Sequence, residues 1–478
     1  MTTRRRFLAS AAATPLLRAR PAAPRPNLLL VTFDQLRADC LGCYGNPVVQ
    51  TPNIDRLARR GVRFGQHFSP TARCVPSRMT IHTGRYPHTH RTLLNSYQIP
   101  DDEPTMARIL APAGYRTMCA GERPFAPREQ LAGFERRLGV APGESFGALL
   151  ARNGWAGPNL TPDRAAKIVE QKHLHDTRFQ AAPVPWPEEL DEAKFHSDQA
   201  IQFLKTSGSD PFFLHVSYRR PHHPFDPVAP FDGMYARARF PATRKKAGEM
   251  ANKPPGQQRA ATSIAGFDPS RMTQAELDLV KSYYYGMISL SDKYLGTVLD
   301  HLDQSGLADN TIVAFLADHG EMLGDHGLML KGGYMYDQVL HTPLILAGPG
   351  VPRGKTIDTL VEAADLAPTL GELMGFATPY AQGKSLAPLW NKPGATHKGA
   401  VFGEFPTIKM VRTTDWKLVH YPGQRYGELY DLRKDPDEYD NLYASPDTLQ
   451  QKGEMYKMLA DWMIRTGDPM RAPAQDPG

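Results

Sequence analysis

Short apolar runs that each stop at a polar or turn-forming residue restrict this chain more than any other feature. Residues 27–33 read NLLLVTF and stop at Asp34. Residues 211–218 (PFFLHVSY) lead into Arg219-Arg220-Pro221-His222, residues 311–316 (TIVAFL) lead to Asp318, and residues 342–347 (TPLILA) end in Gly348-Pro349-Gly350. Runs this short and this uniformly apolar read as strands buried on both faces of a parallel sheet. Helix-patterned stretches lie between them, over 53–60, 105–113, 193–205 and about 274–302. Alternation of the two predicts an α/β fold, a large mostly parallel sheet sandwiched by helices. In such sheets the ligand site lies beyond the carboxyl ends of the strands. Asp34, His222 and Asp318 all follow strand ends, so they are expected to converge although they lie far apart in sequence.

A chain of 478 residues is too long for one small core, so a large domain and a smaller one are expected. Residues 231–270 are rich in Ala, Arg, Lys, Pro and Gly and weakly periodic, and read as a long surface insertion beside the site. Within it Arg244-Lys245-Lys246 reads as a solvated basic face. The texture changes after about Gly383. Residues 409–421 (KMVRTTDWKLVHY) and 428–432 (ELYDL) read as antiparallel strands and residues 449–464 as a closing helix. This divides the chain into a catalytic α/β unit over 26–383 and a small C-terminal α+β domain over 384–478, with a loose tail after Asp468.

The net charge of +6 argues against a nucleic-acid surface once its distribution is seen. Arg4, Arg5, Arg6, Arg18, Arg20 and Arg25 precede Pro26 with no acidic residue among them, and they account for the whole excess. Residues 1–25 therefore read as an address segment. Thr3-Arg4-Arg5-Arg6-Phe7-Leu8 resembles the twin-arginine export signal, and an apolar stretch over 8–17 and small residues at Ala22 and Ala23 follow. The resemblance implies handling by twin-arginine export machinery and a bacterial periplasmic or secreted location. No apolar run approaches the roughly 20 residues of a membrane span, so no stable membrane insertion is expected. The four cysteines, Cys40, Cys43, Cys74 and Cys119, are too few for a disulfide framework. Cys40 and Cys43 have C-x-x-C spacing with no second pair to complete a zinc site, leaving two buried thiols or one local disulfide.

Five clusters carry chemistry. Cys74-Val75-Pro76-Ser77-Arg78 is followed by Thr83-Gly84-Arg85. Pro76 suits a first helical turn, and the backbone N–H groups of a helix start favour an anion. Arg78, one turn on, can reach back toward position 74. Asp34-Gln35 stands at one strand end and Ala317-Asp318-His319-Gly320-Glu321 at another. Carboxylates and an amide carbonyl are ligands for a hard cation, and Gln35 serves with one less negative charge than an acid. The nitrogen of His319 shifts preference toward a more borderline ion. Lys331, in Met329-Leu330-Lys331-Gly332-Gly333, offers a fixed cation. His222, in Pro221-His222-His223-Pro224, offers a proton or hydrogen bond.

Cys-x-Pro-x-Arg followed by Thr-Gly, together with these partners, resembles the sulfatase family of the alkaline phosphatase-like superfamily. Gly427-Glu428-Leu429-Tyr430-Asp431-Leu432 with Asp435-Pro436 and Glu438 extends the resemblance, which runs from Asn27 to about Asp468. It implies that a separate formylglycine-generating enzyme oxidises Cys74. A hydrated aldehyde carries two oxygens on one carbon, so one can attack sulfur and the other can drive collapse, expelling sulfate. Asp34, Gln35, Cys74, Asp318 and His319 map onto the metal site. Arg78, His222 and Lys331 join Cys74 as catalytic groups. Ca²⁺ is the ion implied first, with Mn²⁺ or Mg²⁺ as alternatives. Asp-Gln with Asp-His is a combination of the phosphonate monoester and phosphodiester hydrolases that resemble sulfatases, and Asn95 resembles a pocket residue of that branch. Where many sulfatases carry Gly-Lys-Trp-His, this chain has Gly121-Glu122-Arg123-Pro124, which leaves Arg123 as the cation for substrate. Hydrolysis of a sulfated small molecule or glycan is the leading expectation. The alternatives are a phosphonate monoester or phosphodiester hydrolase using the same site, and an inactive sulfatase-like binding protein.

Overall fold

The computed structural model describes residues 25–121, 125, 130–139 and 144–467. The export signal over 1–24, Arg123 and the tail from 468 lie outside the described residues. In chain order the strands are β1 Asn27–Asp34, β2 Gly61–Phe64, β3 His67–Phe68, β4 Arg116–Gly121, β5 Arg136–Leu138, β6 Phe212–Pro221, β7 Thr311–Ala317, β8 Leu344–Ala347, β9 Lys355–Ile357, β10 Val361–Glu362, β11 Val401–Phe405, β12 Ile408–Arg412, β13 Trp416–His420 and β14 Gly427–Asp431.

Eight of them form one sheet in the order β5-β4-β6-β1-β7-β8-β2-β9. β8 pairs antiparallel with both β7 and β2, while the other pairings in this sheet are parallel. The α/β expectation thus holds with one reversed strand, the TPLILA run. β1 lies in the centre, and its alternate side chains feed two cores. Leu29, Val31 and Phe33 pack with the helices Pro52–Arg60, Glu192–Thr206 and Gln274–Gln304. Leu28 and Leu30 pack with Met79 and Ile81 of the helix Cys74–Thr83 and with Leu366 and Leu370 of the helix Leu366–Met374. All five β1 side chains are fully buried, each worth about 1.5–3 kcal/mol relative to exposure. That is why the run is apolar without alternation. The expected helix over 105–113 is shorter, Met106–Leu110, capped by the Thr105 side chain on the Arg108 amide at 3.2 Å.

The register brings the strand ends together. Phe33 pairs with Ala317, so Asp34 and Asp318 emerge side by side, and Asp34 itself pairs with Pro221, which puts His222 next to it. Strands β11 to β14 form a separate four-stranded antiparallel sheet, covered by the helix Leu449–Arg465 through Met455, Leu459 and Trp462. The 231–270 segment holds short helical turns, among them Glu249–Asn252 and Pro255–Ala260. Its basic run differs from the solvated face expected of it. Arg244 is half-buried and pairs with Asp39 at 3.1 Å, Asp325 at 3.3 Å and Asp437 at 3.1 Å, while Lys245 and Lys246 are exposed. Cys40 and Cys43 are free thiols, which decides against the local disulfide. Among the described residues, no helix is long and apolar enough to cross a membrane.

Candidate active site

The helix Cys74–Thr83 sets the geometry. Every residue of it is buried, and its first residue faces Asp34 and His319 beyond the carboxyl ends of β1 and β7. Gly84 ends it in the left-handed region, φ +69°, with its N–H on the Thr80 carbonyl at 2.8 Å. A side chain there would also crowd the Ala364 carbonyl, 3.1 Å from the Cβ position, so glycine satisfies both demands. Helical side chains lean toward the N-terminus, so Arg78 projects back one turn beside Cys74. Its Nη2 donates to Asp34 at 2.6 Å and its Nε to Asp318 at 2.9 Å. The guanidinium therefore bridges two carboxylates, a task additional to the reach toward position 74 that spacing suggested. Ser77 ties the helix to β7 by donating to the Asp318 carbonyl at 2.6 Å.

Around Cys74 the acceptors converge. Ligand atoms of Asp34, Cys74, Asp318 and His319 all lie within 4.8 Å of one another, and all four residues are buried. The Cys74 Sγ is 3.5 Å from Asp34 Oδ1 and 3.2 Å from His319 Nε2. His319 Nδ1 faces the Gly320 carbonyl at 3.0 Å, which makes Nδ1 the protonated nitrogen and turns the Nε2 lone pair toward the cluster. Asp318 Oδ1 also accepts from the Gln35 and His319 amides at 3.1 and 2.8 Å. Lys331 closes the mouth. Its Nζ is 2.8 Å from Gln35 Oε1, 3.0 Å from His319 Nε2 and 3.2 Å from Cys74 Sγ. Two carboxylates, an amide oxygen and an imidazole nitrogen around one cationic head form a donor set that fits a hard or borderline divalent ion.

The electrostatics agree. Burial would raise the Asp34 carboxyl, but His222, Arg78 and Lys331 outweigh it and hold it well below the usual carboxylate range. Burial, then the Asp34 charge, pushes Asp318 up to about 7. Burial, then Asp34, pushes the Cys74 thiol up to about 12. A thiol so placed stays neutral, unlike the thiolates of reactive cysteines.

The structure thus brings Asp34, Gln35, Cys74, Arg78, Asp318, His319 and Lys331 into one cluster. His222 lies at its rim, half-buried, its ring stacked on His223 at 4.1 Å. His223 Nδ1 is 3.3 Å from Gln35 Nε2. Asn95 is exposed, yet its Oδ1 accepts from the Val75 amide at 3.2 Å, at the start of the Cys74 helix. Two neighbours escaped the sequence reading. Glu321 is fully buried behind Gln35 and accepts from its Nε2, and burial pushes its carboxyl up to about 7. Arg37 pairs with Asp39 at 2.7 Å and Asp325 at 2.9 Å and donates to the Glu321 and Met322 carbonyls. Glu321 falls within the Asp318-His319-Gly320-Glu321 run, so an acid three residues beyond a buried strand-end acid was the available signal.

Comparison with known proteins agrees over nearly the full length. Residues 26–376 match the family model described as Sulfatase, and residues 324–464 match one described as N-sulphoglucosamine sulphohydrolase, C-terminal. The chain is 29% identical over 462 residues to an arylsulfatase of Clostridium perfringens (strain 13 / Type A), spanning 91% of this chain and 94% of that protein. It is also 29% identical over 499 residues to the multifunctional alkaline phosphatase superfamily protein PehA of Trinickia caryophylli, spanning 93% and 96%. Among solved structures, the phosphonate monoester hydrolase of Agrobacterium radiobacter aligns with a TM-score of 0.80 at 26% identity, over 95% of this chain and 99% of that one. With the family model matching well over half of its length, the chain belongs to the sulfatase family of sulfuric ester hydrolases.

Proposed function

We propose that this protein hydrolyses sulfate esters, with formylglycine made from Cys74 as the nucleophile and a divalent metal held by Asp34, Gln35, Asp318 and His319. The observation that carries this reading is the convergence of Asp34, Cys74, Asp318 and His319 within 4.8 Å, with Lys331 at the mouth. When bound, the metal supplies positive charge to the nucleophile and to the transferring group. Arg78 holds Asp34 and Asp318 in place, which fixes two ligands from one side chain. Lys331 stabilises charge developing on the transferring group. His222 donates to the departing alcohol oxygen. Asn95 and Arg123 are the candidate contacts to the rest of the substrate. Ca²⁺ is the first candidate ion and Mn²⁺ or Mg²⁺ the alternatives. Conversion of Cys74 requires a formylglycine-generating enzyme, and the N-terminal arginines support twin-arginine export to a bacterial periplasm or beyond. Residues 26–383 form the catalytic unit in this reading, and 384–478 the smaller domain. The substrate is a sulfated small molecule or glycan.

A second reading has its own support. The nitrogen ligand at His319, the amide at Gln35 and the likeness to the Agrobacterium phosphonate monoester hydrolase favour phosphonate monoesters or phosphodiesters on the same apparatus. Sulfate and phosphoryl centres share size and geometry and differ mainly in charge. Mass spectrometry of the residue-74 peptide, from protein made in a host with the converting enzyme, tests the chemistry. The aldehyde is expected, and an intact thiol in active protein sinks the mechanism and leaves the binding-protein alternative for inactive protein. Comparing kcat/KM for an aryl sulfate and a phosphodiester with the same leaving group then separates the two substrates. A higher value for the phosphodiester reverses their order.

A further inference from the structure

The strand end at Asp34-Gln35 offers the cluster one carboxylate and one amide. The structure sets a second carboxylate one layer behind. The Gln35 amide lies between Lys331 and Glu321, with Lys331 Nζ donating to Oε1 at 2.8 Å and Nε2 donating to Glu321 Oε2. An ammonium has donors only, so the Gln35 atom facing it is the oxygen. Glu321 has its own fixed orientation. Its Oε1 accepts the backbone N–H of Leu323, at 3.1 Å, and of Leu330. Those two N–H groups belong to a hairpin closed by Met322 N–H on the Leu330 carbonyl at 3.0 Å and Gly324 N–H on the Leu328 carbonyl at 2.8 Å. The same hairpin leads directly into Lys331. At the other end, the Gln35 backbone is in the left-handed region, φ +69°, and its carbonyl accepts from the Tyr284 hydroxyl at 2.6 Å. Backbone and side chain of Gln35 are therefore both tied down.

We propose that Glu321 is a positioning residue for the metal site: it locks the Gln35 amide so that the oxygen, and not the NH₂, faces the metal. The inference rests on the metal reading above. A hard cation takes the amide oxygen and is repelled by the amide N–H groups, so a reversed amide removes one ligand. Partners that fix a ligand in this way commonly matter about 10–100-fold in metal affinity.

The hydrogen-bond pattern makes the test sharp. In Glu321→Gln the new amide oxygen is held by the Leu323 and Leu330 N–H groups, so the new NH₂ faces Gln35. Gln35 must then turn its own oxygen toward residue 321 and its NH₂ toward the metal. Combining Glu321→Gln with Gln35→Glu restores an acceptor at both ends. The measurement is Ca²⁺ and Mn²⁺ affinity by isothermal titration calorimetry, on metal-stripped full-length protein that keeps the Cys74 thiol. This readout is independent of formylglycine and of turnover, and thermal unfolding of the metal-free protein controls for folding.

Glu321→Gln is expected to weaken ion binding about 10–100-fold without a comparable loss of folding, and the double variant to recover most of that loss. Wild-type affinity in Glu321→Gln, or a double variant no tighter than Glu321→Gln, overturns the inference. If Glu321→Gln does not fold, the double variant is compared with Gln35→Glu, in which two carboxylates face each other. Tighter binding by the double variant supports the inference, and equal or weaker binding overturns it. A wild-type protein that binds neither ion overturns the metal reading and the inference with it. A wild-type protein that binds, with an unaffected Glu321→Gln, overturns the inference alone.

Discussion

Two of the buried charge clusters in this molecule are built on opposite plans. One is the Asp34, Asp318, His319 and Cys74 cluster at the strand ends. The other joins β10 to the segment before β11. There Glu362 accepts from the Tyr86 hydroxyl at 2.7 Å, the Phe402 amide at 2.6 Å and Lys398, and Asp365 accepts from the Lys384 amide at 2.7 Å, the Glu362 amide and His397, each at 2.9 Å. Lys398 bridges both acids, 2.7 Å from Asp365. Every carboxylate oxygen there has a donor of its own. Burial opposes the Asp365 charge, but Lys398 and then His397 hold the carboxyl well below the usual range. At the strand ends Arg78 and the Gln35 and His319 amides cap three carboxylate oxygens, but Asp34 Oδ1, Cys74 Sγ and His319 Nε2 face one another, and burial pushes Asp318 up to about 7. A network whose acceptors are each capped holds a fold together. One whose acceptors converge is arranged for something that joins them.

The largest test of that contrast is on rate. If residue 74 is the nucleophile proposed above, Cys74→Ala should lower kcat/KM by about 10⁴-fold or more, because it removes one member of a set of groups that act together. Its unfolding temperature should stay close to that of the wild type. Residual turnover near the wild-type level would move the chemistry away from residue 74.

The next test is on stability at the other cluster. Lys398→Met strands Glu362 and Asp365 without their shared cation, and breaking a buried pair in this way costs about 3–5 kcal/mol in urea or thermal unfolding. The folded fraction should keep its kcat/KM. A mild loss there would mean that the capping N–H groups, and not the ammonium, carry the network.

Metal should act on one cluster only. A divalent ion at about 100 times its Kd adds roughly 2.7 kcal/mol to unfolding. That gain should vanish in Asp34→Asn and persist, added to a lower baseline, in Lys398→Met. An ion that stabilises Asp34→Asn as much as the wild type would place its site elsewhere.

The contrast also accounts for what the sequence could and could not reveal. Asp34, His222 and Asp318 were legible because parallel strands end in register, and each follows an apolar run that only a doubly covered sheet explains. Cys74 and Arg78 were legible because one helical turn separates them. Position 244 misled because a basic triplet looks the same in solvent or in an ion pair, and its partners Asp39, Asp325 and Asp437 are remote in sequence. The helix Pro162–Thr177 carried no signal of burial, since none of its residues is buried, although Thr161-Pro162-Asp163 is a helix start. The role of Glu321 stayed hidden for a different reason. The acid three residues past Asp318 was visible, but its hydrogen bond to Gln35 crosses two strand ends, and no spacing encodes that partner. The Glu362, Asp365 and Lys398 cluster was invisible likewise, because its cation and its acids come from segments joined only by the fold.

The smallest expected effect is on pH, where the two clusters pull in opposite directions. Asp365 has a folded value below its ordinary 3.8. Its contribution is therefore complete above that ordinary value and is lost as pH falls through the folded one. Asp318 has a folded value raised from 3.8 to about 7. In metal-free protein its contribution is greatest in acid and declines as pH rises between those values. Removing Asp365 should therefore matter less the more acidic the solution. From about pH 5 to about pH 3, the stability gap between wild type and Asp365→Asn should shrink by about 1 kcal/mol, the part of the linkage that falls in that window. Urea unfolding of both proteins across the range checks it. A gap that does not change would mean that Lys398 and His397 do not hold the carboxyl charged, and the division between capped and convergent acids would fail at the cluster where it is drawn most sharply.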